Sequence, residues 1–155
     1  MEAMTSLAKR AGTIALLAAL AGCRGKGDGA APAPAAAPGT PPPVAGSLRA
    51  DGVVSALRGA GLPTEGFAAL NPVPYGAAAC EEGRVDTIDT LVCEYRDDAT
   101  LARGKAALLE QWGREGGHTG VALASKLTLL GVFDRARHDP NGKTISRVVE
   151  TFRKL

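Results

Sequence analysis

Reactive constellations are what this chain has least of. It holds two histidines, His118 and His138. Neither belongs to an HExxH pair or a spaced Cys/His set, so the common zinc arrangements have no ligands here. No GxSxG elbow surrounds Ser125 or Ser146, which removes the usual serine nucleophile. Gly142-Lys143-Thr144 reads GKT, but Arg137 stands where a phosphate loop needs its earlier glycine. Asp139, Asn141 and Gly142 resemble part of a calcium loop, yet Arg137 occupies its first ligand position and Val148 its twelfth. An excess of one charge is missing too, with 18 basic and 16 acidic residues. Lys9, Arg10, Arg24 and Lys26, against Glu2 and Asp28, precede residue 48, leaving 14 of each sign beyond it. Such a balance sets up no long-range field for a polyanion, and no nucleic-acid partner is expected. The most apolar stretch, AGTIALLAALAG at 11–22, is about a dozen residues, short of the roughly 20 a spanning helix needs. No metal or cofactor is expected.

What is present begins with an address. Lys9 and Arg10 open the chain with positive charge, the apolar stretch follows, and small residues lead to Cys23. That three-part layout is a signal peptide over residues 1–22, with translation starting at Met1 or Met4. Leu20-Ala21-Gly22-Cys23 resembles the lipobox of bacterial lipoproteins. The resemblance covers the first 23 residues and implies that Cys23 is diacylglycerylated and becomes the first mature residue. Each buried methylene contributes about 0.8 kcal/mol, so several acyl chains anchor stably where one is marginal. The implied partner is the lipid bilayer, through acylated Cys23. Arg24, in place of the Asp that often retains such proteins at the inner membrane, favours the outer membrane facing the periplasm.

Residues 23–47 continue as an Ala/Pro-rich linker with six prolines between Pro32 and Pro43. A stretch of this kind buries too little surface to offset chain entropy, and alternating Ala and Pro favours extended polyproline II.

Residues 48–155 read as one α+β domain. Val53, Ala56, Leu57 and Ala60 fall at i, i+3, i+4, i+7, with Asp51 as the expected cap, and Gly61 and Pro63 end the helix. Residues 64–77 read as irregular. Cys80 and Cys93 are placed symmetrically about Asp86-Thr87; a hairpin closed there sets them opposite each other, within disulfide reach. An oxidising periplasm makes that bond the expectation, ahead of a metal or redox pair, since CxxC is missing. Asp-Thr is an unfavoured two-residue turn, which points to a longer loop. Asp97-Asp98 caps a long helix whose stripe is Leu101, Lys105, Leu108 and Trp112. Two strands at about 119–124 and 127–134 turn near Ser125-Lys126. A last helix places Ile145, Val148, Val149 and Phe152 on one face. The expected order is α-ββ-α-ββ-α: three helices on one side of a mainly antiparallel sheet of about four strands. Two similar αββ units hint at a pseudo-repeat.

No catalytic residue emerges. The leading expectation is a non-catalytic binding domain for an envelope protein or small ligand, with contact around Tyr95, Trp112 and Phe133. The alternative is a small envelope hydrolase whose acid or base is Glu82, Glu94, Asp134 or His138. Convergence of two of these in one concave pocket would favour the enzyme. Glu81-Glu82, Asp97-Asp98 and Glu94 read as strand ends and a helix cap rather than a cation site.

Overall fold

The computed structural model describes residues 42–116 and 119–155. The expected signal peptide, Cys23, Arg24, the expected linker up to Pro41, and His118 lie outside the described residues. Along the described chain run α1 (Ala50–Gly59), β1 (Thr64–Leu70), a short 3-10 turn (Val73–Tyr75), β2 (Ala79–Val85), β3 (Ile88–Glu94), α2 (Asp98–Glu115), β4 (Thr119–Ser125), β5 (Thr128–Asp134) and α3 (Lys143–Arg153). All strand pairs are antiparallel, and the sheet order is β1-β2-β3-β5-β4. The architecture is α+β with three helices and five strands among the described residues. No described helix is long and apolar enough to cross a membrane.

The Asp86-Thr87 hairpin closes tightly, with Val85 opposite Ile88 and Cys80 opposite Cys93. The loop is no longer than two residues because Asp86 takes a left-handed φ of 59°, which aspartate tolerates, and its N–H donates to the Pro63 carbonyl at 2.7 Å. Cys80 and Cys93 are joined, with 4.1 Å between their Cα atoms. Residues flanking a two-residue turn form a hydrogen-bonded pair, and alternation from there makes Cys80–Cys93 a non-hydrogen-bonded pair, the closer of the two kinds. The second hairpin turns at Lys126-Leu127, one residue later than expected, with Ser125 opposite Thr128. Both turn residues are left-handed, φ 46° and 57°.

The sheet and its helices depart from expectation in two further ways. Residues 64–70 are a strand, β1, not irregular chain. It pairs along the outer edge of β2 across a break in register between Glu65 and Ala68, so simple alternation is lost in the sequence. The helices also do not share one side. α1 and α3 cover one face, where Val53, Leu57, Val85, Ile88, Val92, Leu130, Val132, Ile145, Val148 and Phe152 form the larger core. α2 covers the other, where its Leu108 packs with Cys80, Leu91, Cys93, Tyr95 and Leu129, and Tyr75 and Ala77 pack beside them. β5 explains why: every residue of TLLGVFD is buried, so both of its faces need cover.

The buried acids accept from backbone N–H groups at helix starts and in the loop before α3. Glu94, at the end of β3, accepts from the Ala50 N–H at 3.2 Å and the Ser47 hydroxyl at 2.9 Å, and so caps α1. The expected cap, Asp51, instead lies in the first turn and pairs with Arg49 at 3.0 Å. Asp134, at the end of β5, accepts from the backbone N–H groups of His138 (2.9 Å) and Asp139 (2.8 Å). Asp139 in turn accepts from Lys143 (2.8 Å) and Ile145 (2.9 Å) at the start of α3. Asp97 caps α2 as expected, accepting from the Thr100 N–H at 2.7 Å.

Candidate functional site

A strand face carries its side chains in rows that cross the sheet. On the α2 side the registers align three such rows. Leu70, Cys80, Cys93 and Leu129 make an apolar row beneath α2; Glu82, Leu91, Gly131 and Ala122 follow; then come Glu65, Arg84, Asp89, Phe133 and Gly120. A single helix is too narrow to cover all three. The uncovered ends of the second and third rows form a cleft of about 380 Å³, bounded also by Tyr75, Gln111, Trp112 and Arg135.

One wall is a stack of three planar groups. Trp112 lies parallel to Phe133, with ring centres 4.8 Å apart and planes 6° from parallel. The Arg135 guanidinium sits 5.3 Å from the centre of the Phe133 ring. Asp89 and Glu115 each bring a carboxylate oxygen to 3.5 Å from Arg135 and hold it there. The stack needs room beneath the indole, and glycine supplies it. A Cβ on Gly131 would stand 2.9 Å from Leu108 and 3.2 Å from the Trp112 ring; one on Gly120 would stand 2.8 Å from Phe133. Continuing the row of Phe133 away from the stack, Asp89, Arg84 and Glu65 alternate in sign. Tyr75 has its hydroxyl pKa raised by burial and then by the Glu82 carboxylate, so it is a hydrogen-bond donor through the neutral range. Aromatic wall, alternating charges and a phenol donor together suit a ligand with both apolar and polar groups.

Of the expected contact residues, Trp112 and Phe133 line the cleft. Tyr95 does not: it is fully buried beneath α2, beside Gly104, where any larger side chain would collide with its ring. Its hydroxyl has no hydrogen-bond partner among the described residues, and burial, then Tyr75, pushes its pKa up to about 12. Tyr95 is core.

The four residues proposed as acid or base do not converge. Glu82 lines the cleft. Glu94 and Asp134 belong to the α1–α3 side, at opposite ends of the β3–β5 pair, about 20 Å apart at the usual rise per residue. His138 is exposed in the loop before α3. Glu81 lies near Asp51 and Glu94, and burial followed by those two charges raises its pKa. No three His, Cys, Asp or Glu side chains among the described residues come together as a metal-holding group.

Sequence reasoning missed Arg84, Asp89 and Arg135. Their neighbours are set by strand register, which no local pattern displays. Gly120 and Gly131 were the available signal, since a glycine within a strand often marks close approach by another group.

Comparison of the chain with protein-family models, with curated proteins and with solved structures returns no match.

Proposed function

We propose that this chain is a bacterial envelope lipoprotein, anchored through acylated Cys23 to the outer membrane on its periplasmic side. Beyond the Ala/Pro-rich linker its α+β domain binds an envelope protein or small ligand, without catalysis. The lipobox-like Leu20-Ala21-Gly22-Cys23 carries the anchoring part. The stack-walled cleft on the α2 side carries the binding part. Tethering raises the effective concentration of the domain near other envelope components, so moderate affinity in the cleft is sufficient. Glu94 and Asp134 are already committed to backbone N–H groups, at the start of α1 and in the loop before α3, which supports binding over hydrolysis.

Two measurements test this. Wild type should incorporate a palmitate analogue in a lipoprotein-competent bacterium and Cys23→Ala should not; equal labelling removes the anchor. For the cleft, a photoreactive residue replacing Gln111 on the rim should capture a discrete species in cells. The same residue replacing Ser146, exposed on α3, should not. Identical capture at both positions removes the cleft as the binding site.

A further inference from the structure

The hairpins β2–β3 and β4–β5 are related by an approximate two-fold axis perpendicular to the sheet. Each residue of the second lies 40 positions after its counterpart: Ala79–Val85 against Thr119–Ser125, and Ile88–Glu94 against Thr128–Asp134. The register between the central strands pairs Leu91 with Gly131, its own counterpart. The relation extends to the buried acids: Glu94 and Asp134 are equivalent positions, one accepting from the first residue of α1 and the other from the loop that leads into α3.

The symmetry fails at the edges. The outer edge of β2 is paired with β1. The equivalent edge of β4 carries no strand among the described residues. Alternation from the Ser125–Thr128 pair directs the N–H and C=O groups of Gly120, Ala122 and Ala124 outward. β4 also lacks the devices that guard an edge. Its sequence TGVALAS has no charge and no proline, and its register with β5 is unbroken. β1, the other edge, carries Glu65, a register break, Gly66 at φ 64°, and prolines close beyond both ends.

We infer that β4 pairs antiparallel with β4 of a second copy of this chain, about a two-fold axis at Ala122. That register sets Gly120 against Ala124, Val121 against Leu123 and Thr119 against Ser125. Small residues meet on the α2 side, Val121 and Leu123 meet on the other, and no like charges are opposed. Every outward N–H of one copy finds an outward carbonyl of the other, and a single isologous contact closes the open edge of both. The chain's own spacer is a poor occupant, because its prolines have no N–H to donate.

Register-specific cross-linking of the full chain in an exporting bacterium tests the pairing. Directly opposed Cα atoms lie about 5.5 Å apart, so Ala122→Cys should give a disulfide-linked dimer on non-reducing electrophoresis. The two copies of position 124 sit about 13 Å apart along the strands, so Ala124→Cys should stay monomeric. Mass mapping of the Cys80–Cys93 bond in both variants confirms that each has folded. With that bond intact, absence of the Ala122→Cys dimer, equal dimer at both positions, or an adduct to a different protein overturns the inference. Native mass spectrometry of the wild-type chain released from detergent is the second arm. Wild type should appear as a dimer and Ala122→Pro as a monomer, because that proline removes an outward donor and leaves the β5 ladder untouched. A monomeric wild type overturns the inference without any variant.

Discussion

The two hairpins share one backbone plan and differ in nearly everything their side chains do. The first is joined across its strands by Cys80–Cys93, carries Arg84 and Asp89 side by side near its turn, and has a third strand along its edge. The second has Gly120 and Phe133 where the first has its cysteines, and its outer strand is uncharged. The same geometry thus serves two ends. A cross-link holds one half rigid, while glycines in the other admit Trp112 and build the stacked wall. The lesson is that a pseudo-symmetric sheet acquires a site where its symmetry is broken: the apolar row lies under α2, and the charged row opposite it is left open.

Three perturbations probe that difference, the strongest first. Replacing both Cys80 and Cys93 by alanine should destabilise the domain by about 3 kcal/mol, the chain-entropy value for a loop of this size, read as a lowered midpoint in urea. An unchanged midpoint would mean that the first hairpin needs no covalent help and that the two halves are equally robust.

Next comes the buried acid of the second hairpin. Burial alone would raise the Asp134 pKa, but the N–H groups of Asp139 and His138, with the His138 charge, outweigh it and hold the pKa below its ordinary value. A carboxylate depressed in this way stabilises the fold above its unfolded pKa and loses that contribution as pH falls through its folded pKa. Asp134→Asn should therefore cost about 2 kcal/mol at neutral pH, the value of charged hydrogen bonds lost at a buried site. The gap between variant and wild type should close below about pH 4 in urea titrations across pH. A pH-independent gap would assign the effect to packing alone.

The smallest effect is at the second turn. Lys126 and Leu127 both hold left-handed φ without glycine, whereas the first turn asks this of Asp86 only. Changing Lys126→Asn together with Leu127→Gly should stabilise the domain by about 1 kcal/mol or less, because those residues suit a two-residue hairpin. Thermal unfolding reads it; a loss would show that the Lys126 amine on the Leu155 carbonyl matters more than backbone preference.

Local patterns carried much of this architecture. The 3.6-residue stripes marked α1, α2 and α3, and the symmetric spacing of Cys80 and Cys93 about Asp86-Thr87 set a hairpin register that the structure reproduces pair for pair. Asp97 was legible as a cap because capping is a contact between near neighbours. β1 was hidden by its register break. Glu94 as the cap of α1 was hidden by distance, the two ends of that contact being 44 residues apart.

The sequence by itself therefore determined the three helices, the two hairpins, the first hairpin's register and the cysteine pairing, since each depends on residues close together in the chain. Only the tertiary structure decided that α2 crosses to its own face, that Arg84, Asp89 and Phe133 share a row, and that Tyr95 is core while Trp112 walls a cleft. Those outcomes follow from how strands far apart in the chain line up once both faces of β5 must be buried, and strand order and register across such distances leave no local period to read.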